Sequence, residues 1–169
     1  MKRLIWILAA GVCVIGCQGN DSVESEFTGR EMVYPLAQGS DYNVQGTVTF
    51  RERRDGTSIV AVTLNGTEGA AEHPVHLHPG DISTPGADVA ALLNAVSGST
   101  GKSETNLVRL SDETSVTYEE LVNMDACVKI HLAASGPDRD IILAGGNIGA
   151  ASTREIASGR SAIGVCKSE

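Results

Sequence analysis

The chain has 169 residues, with 13 Lys and Arg against 21 Asp and Glu and a net charge of −8. That acidic balance argues against nucleic acid as a partner and against polybasic attachment to anionic lipid. Aromatic residues make up 4% and there are 19 glycines, the composition of a loop-rich β fold in which Val, Ile and Leu do the packing.

The chain opens Met1-Lys2-Arg3 and continues as an apolar run from Leu4 through Ile15, the charged start and apolar middle of a secretory leader. The run is too short to span a bilayer. It closes on Val14-Ile15-Gly16-Cys17, which resembles the lipobox of bacterial lipoproteins. The resemblance implies cleavage before Cys17, lipid on that cysteine and a membrane as partner through the lipid. Gln18 follows Cys17 where retained lipoproteins carry Asp, so the resemblance further implies the outer membrane, facing the periplasm or the exterior. Loss of the leader removes Lys2 and Arg3 and makes the chain more acidic by two charges. The expected division is a leader over 1–16, a lipidated tether over 17–40 and one β domain over 41–169.

Residues Gln18 to Gln38 are polar and show no sustained period, as a tether does. Val44 to Phe50 then alternates apolar and polar residues, Asp55-Gly56 supplies a turn, and Ser58 to Leu64 continues as a second strand, which predicts a hairpin. A third strand is expected over Pro74 to His78, followed by a Gly- and Pro-containing loop from Pro79 to Ala87. Further strands are expected at Thr105 to Leu110, Cys127 to Ala133 and Ile141 to Ala144, with a last one near Ile163 to Cys166. Thr117-Tyr118-Glu119-Glu120 has the form of a capping box, which starts a helix of about two turns that ends before Asp125. Short strands, turn signals and one short helix predict an all-β Greek-key barrel or sandwich.

Three of the four histidines fall in His73-Pro74-Val75-His76-Leu77-His78, and the fourth is His131, within Val128-Lys129-Ile130-His131-Leu132. Residues two apart on a strand share a face. Val75 and Leu77 select the core, so His76 and His78 project from the other side. The same parity sends Val128, Ile130 and Leu132 inward and places Lys129 and His131 outside. If the two strands are neighbours, three imidazoles converge on one point, a donor set that suits copper, zinc, nickel or iron. His73 shares the parity of Val75 and reads as a structural, hydrogen-bonded histidine.

Cys13 leaves with the leader and Cys17 is taken by lipid, so Cys127 and Cys166 remain. An exported chain meets an oxidising compartment, where the two form a disulfide. The other reading makes Cys127 a thiolate ligand beside His131.

The H-x-x-H-x-H spacing of His73, His76 and His78 is similar to the copper-binding strand of the copper-zinc superoxide dismutases, H-G-F-H-V-H. Val128-Lys129-Ile130-His131 looks like the strand that carries the last copper histidine, and Leu143-Ala144-Gly145-Gly146-Asn147-Ile148-Gly149 resembles the closing L-A-C-G-V-I-G segment. Order and spacing agree from Tyr42 to Gly149. Secreted bacterial domains of the chordin type share this strand pattern and its H-x-H element. The resemblance implies a Greek-key β-barrel of the dismutase type, with copper held by His76, His78 and His131 and His73 structural. It also marks departures. The bridging histidine of the H-F-N-P loop is replaced within Leu92-Leu93-Asn94-Ala95, and no histidines remain for a zinc site. The arginine that guides superoxide falls on Ile142 and the closing cysteine on Gly145, so the family's disulfide is missing or replaced, with Cys127 and Cys166 as the replacement pair.

The leading expectation is therefore an envelope-anchored, copper-only, dismutase-like protein, with copper as cofactor ahead of zinc and superoxide as the small anion. Lys129 would supply guiding charge. Glu72, Asp81 and Asp138 are the candidates for an axial ligand. The alternatives are a non-catalytic copper carrier or electron-transfer module serving a copper-trafficking partner, and a metal-free interaction domain.

Overall fold

A computed structural model describes residues 25–158 apart from residue 86. The leader, Cys17, Cys166 and the strand expected near Ile163 to Cys166 lie outside the described residues.

The hairpin expected around Asp55-Gly56 forms as β2 (Gln45–Arg53) and β3 (Ser58–Asn65), in register from Gln45↔Asn65 to Glu52↔Ser58. Its turn is held by Gly56 N donating to Arg53 O and by Asp55 Oδ1 accepting from Thr57 N and Oγ1. Ahead of it runs a strand that the sequence pattern does not announce, β1 (Phe27–Gln38). Residues read as the end of the tether are thus part of the barrel, and the folded domain starts well before residue 41. Only Tyr34 and Leu36 of β1 are buried, too few for a period to show. Pairing along β2 from Phe27↔Arg53 to Leu36↔Gly46 makes it a strand.

The remaining strands are β4 (Glu72–Pro79), β5 (Ala91–Ser97), β6 (Lys102–Leu107), β7 (Asp125–His131) and β8 (Ile142–Ile148). Together they form a closed antiparallel barrel in the order β1-β2-β3-β6-β5-β4-β7-β8. Strands β4, β5 and β6 pair successively, while β3 lies beside β6 and β7 beside β4, which makes two overlapping Greek keys. The all-β barrel expected from the sequence is therefore present. Strand β5 corrects one detail: Leu92-Leu93-Asn94-Ala95, set against a family loop, pairs with β4 through Val75↔Leu93 and His76↔Leu92.

The barrel closes where β1 meets β8, at Ala37↔Gly145 and Gln38↔Ala144. A Cβ at Gly146 would stand 2.1 Å from Pro35 O, so the walls approach this closely only because position 146 has no side chain. Inside, alternate residues of each strand interdigitate: Val48, Phe50, Val60, Val62, Val75, Leu77, Val128 and Ile130 are all at most 1% exposed. Phe50 meets Tyr34 edge-on at 5.9 Å between ring centroids.

Helix α1 (Tyr118–Asn123) starts where expected, with Thr117 Oγ1 accepting from Glu120 N and Glu120 Oε2 accepting from Thr117 N. It buries Tyr118 and Leu121, and Tyr34 Oη donates to Val122 O at 3.3 Å. A second helix, α2 (Gly149–Ser158), follows β8 directly. Its Ala-, Ser- and Thr-rich sequence buries only Gly149 and Ala151, so no apolar stripe marks it in the sequence.

Candidate metal centre

The site depends on β4 and β7 being neighbours, and they are, with Val75↔Ile130, His76↔Lys129, Leu77↔Val128 and His78↔Cys127 as cross-strand partners. This register aligns the inward residues Val75, Leu77, Val128 and Ile130 with one another in the core. The opposite parity then puts His76, His78, Cys127, Lys129 and His131 together on the outer side of the wall. The β7–β8 register shifts between Ile130 and His131, an irregularity of the kind that re-aims a side chain at a strand end.

His76, His78 and His131 form one group, in which one ring nitrogen from each lies within 4.8 Å of the others. Ring centroids are 4.5 Å apart for His76 and His131, 5.7 Å for His76 and His78, and 6.4 Å for His78 and His131. Three nitrogens bound at ~2.0–2.1 Å to one ion stand roughly 3.4 Å apart. Closing the group onto an ion therefore takes shifts on the order of an ångström, within the reach of side-chain rotation.

Hydrogen bonds decide which nitrogen faces the common point. His78 Nδ1 donates to Ala87 O at 3.1 Å and Asp88 O at 2.9 Å, and His131 Nδ1 donates to Arg139 O at 2.8 Å. Carbonyl oxygens only accept, so both Nδ1 atoms carry the proton and both Nε2 atoms keep a lone pair. Those two Nε2 atoms are buried and have no hydrogen-bond partner. A buried polar atom left without a partner costs about 1–3 kcal/mol. Two such atoms aimed into one cluster are what a metal ion would satisfy, and the oriented outer hydrogen bonds are those found behind metal-bound histidine.

Burial keeps the rings neutral. It lowers the His78 and His131 pKa values against the opposing pull of the carbonyls that accept from them. His76 is driven down to about 4, first by burial and then by His131, His78 and Arg139. All three imidazoles are thus in the basic form that binds metal at neutral pH.

Exposure differs from the expectation. Parity is as read, but the outer side of this wall is not open to solvent: His78 is 2% exposed, His131 4% and Lys129 0%. Lys129, expected as a surface charge guiding an anion, is instead buried beside the site, where its charge acts on both His78 and His131. Two connections account for it: the Pro137–Asp140 turn meets His131 through Arg139 O, and the loop between β4 and β5 meets His78 through the Ala87 and Asp88 carbonyls. Ile82 from this loop is buried and lies 2.7 Å from where a Cβ of Gly145 would be, over the same patch as the Lys129 backbone. Strand alternation determines which side of a sheet a residue leaves from and carries no information about what folds over it.

The exposed cation next to the site is Arg139, whose charge acts on His76 and His131 and whose carbonyl holds His131. It lies in the 3-10 turn Pro137–Asp140. Its one sequence signal is position, in the connection that returns over the strand ending at His131. Of the acids considered as axial ligands, none joins the three-histidine group among the described residues; Asp81 is bound to Ser83 and Asn147. His73 behaves as a structural histidine, 5% exposed with Nδ1 donating to Leu132 O at 3.1 Å. Cys127 is buried opposite His78 and stands outside the metal-competent group. Its expected disulfide partner, Cys166, lies outside the described residues.

No family model, no curated protein and no solved structure matches this chain.

Proposed function

We propose that this chain is a copper-binding protein of the cell envelope, anchored by lipid at Cys17, with His76, His78 and His131 holding one copper ion. The observation that carries the metal reading is the pair of buried, unpartnered Nε2 atoms of His78 and His131, whose rings group with His76 and whose tautomers are fixed by carbonyls at Nδ1. Three imidazoles and no carboxylate make a donor set that copper accepts in both common oxidation states. The anchor and the choice of copper rest on the sequence resemblances.

Copper held there would supply one-electron exchange with a small anion such as superoxide. The protein's own contribution is positional and electrostatic. His78 and His131 are locked and shielded, whereas His76 is partly exposed and forms the accessible side. Buried Lys129 and exposed Arg139 place positive charge around the group in an otherwise acidic chain. Local positive potential of this kind raises the encounter rate of an anion and is screened by salt.

A non-catalytic copper carrier is the second reading, and Leu92 favours it. Its side chain, 69% exposed, is the cross-strand neighbour of His76, an apolar contact point beside the accessible ligand.

The test is to load the purified protein with copper, count copper by elemental analysis, record the paramagnetic spectrum and measure superoxide decay, beside His78→Ala and Arg139→Ala. One equivalent of copper with nitrogen hyperfine structure, lost in His78→Ala, supports the site. A decay rate that falls in Arg139→Ala and with added salt supports the dismutase reading. Bound copper with no rate above the apoprotein leaves the carrier, and absence of stoichiometric metal overturns both.

A further inference from the structure

The orientation of His78 depends on a loop, and that loop is fastened at a distance. The carbonyls of Ala87 and Asp88 that accept from His78 Nδ1 belong to the connection between β4 and β5. Residues of this connection face the outer side of β7 and β8 through Ile82, which is 2% exposed. The Ile82 amide donates at 2.7 Å to Oδ1 of Asn147, a β8 side chain that is itself 3% exposed.

Asn147 uses its whole amide. Oδ1 accepts from Ile82 N, and Nδ2 donates to Asp81 Oδ2 at 2.9 Å and to Glu155 Oε2 at 3.0 Å. The orientation is determined by its partners: turning the amide over would set Oδ1 against two carboxylates that can only accept, and Nδ2 against an N–H that can only donate. One buried side chain therefore joins the loop, through Asp81 and Ile82, to β8 and to α2, through Glu155. Asn147 is also the cross-strand partner of Cys127, which is the partner of His78. The fastening point and the ligand are two strands apart on the same side of the wall.

We propose that Asn147 is a positioning residue for His78: by pinning Asp81 and Ile82 to β8, it holds the Ala87 and Asp88 carbonyls where they keep the proton on His78 Nδ1 and the lone pair on Nε2. Its consequence for metal affinity rests on the metal reading above; the fastening itself does not. The far end of the loop is held at Ala90, whose N donates to Leu77 O at 2.8 Å, so substitution at 147 frees the Asp81–Ile82 end and lets the Ala87 and Asp88 carbonyls shift enough for His78 to exchange its tautomer. His131, held by Arg139 O from a separate segment, keeps its own.

The test uses Asn147→Leu, close in size and without hydrogen-bonding groups, with Glu155→Ala as the control that removes the α2 contact and leaves the loop contacts in place. Ring-nitrogen NMR of the metal-free proteins reads the tautomers directly. The wild type and Glu155→Ala should show Nδ1–H for both His78 and His131; Asn147→Leu should lose the single tautomer at His78 and keep it at His131. Copper affinity in Asn147→Leu should fall about ten- to hundred-fold, the usual effect of losing support behind a ligand. A folded Asn147→Leu protein with an unchanged His78 tautomer overturns the proposal. If that variant does not fold, amide exchange at Ile82 in the wild type decides: protection matching neighbouring strand amides supports the fastening, and exchange at the rate of an open loop overturns it. A wild type that binds no copper but whose His78 tautomer depends on Asn147 removes the copper reading and leaves the positioning role intact.

Discussion

The two unpartnered Nε2 atoms imply that metal and fold are thermodynamically linked. Each atom costs the apoprotein about 1–3 kcal/mol, and an ion held by His76, His78 and His131 removes both penalties at once. A ligand that binds only the folded chain stabilises it by about 2.7 kcal/mol at a hundred times its Kd and about 4.1 kcal/mol at a thousand times. For a domain of this size, 1 kcal/mol moves Tm by roughly 3–4 °C. Adding metal to the chelator-stripped protein should therefore raise Tm by about 8–11 °C at the lower excess and about 12–16 °C at the higher. Zinc is the convenient probe because it has no redox chemistry. The assay is thermal unfolding followed by circular dichroism at fixed pH and protein concentration, with His78→Ala/His131→Ala as the control. A wild-type shift below about 2 °C at saturation, far under that linkage value, or an equal shift in the double variant, would refute the reasoning.

Three further outcomes follow from named contacts. Below pH 6.5 the unfolded chain takes up protons on His76, His78 and His131 that the folded chain refuses, His76 down to about 4. Apoprotein stability should accordingly hold steady above pH 6.5 and fall as the pH drops toward 4; urea midpoints measured down that range should decline less in His76→Gln than in the wild type. Gly146→Ala places a methyl group 2.1 Å from Pro35 O at the barrel closure and should cost at least about 1–3 kcal/mol of stability by chemical denaturation. Thr117→Ala removes half of the α1 capping box and should cost about 1 kcal/mol, with the metal-induced rise in Tm unchanged because α1 supplies no ligand.

The legible parts of the sequence were those written in short-range periodicity. Alternation in Thr47 to Phe50 and Ser58 to Leu64, the Asp55-Gly56 turn and the Thr117/Glu120 cap are local signals, and each appears in the structure as read. Strands β1 and β5 and helix α2 went unread because their identity comes from neighbours. β1 buries two residues and is a strand through its pairing with β2, and α2 presents no apolar stripe.

For the site, the one-residue parity of the strands around Val75/Leu77 and Val128/Ile130 was sufficient to send His76, His78 and His131 to one side of the barrel wall, since side-chain direction follows from position along a strand. Whether those two strands touch, whether a loop covers them and which ring nitrogen keeps its lone pair are long-range outcomes. The β4–β7 register brought the rings together, the β4–β5 connection covered His78 and Lys129 while the Pro137–Asp140 turn met His131, and carbonyls of Ala87, Asp88 and Arg139 set the tautomers. None of these is encoded in the spacing of the histidines, because each depends on segments that meet only once the chain has closed into a barrel.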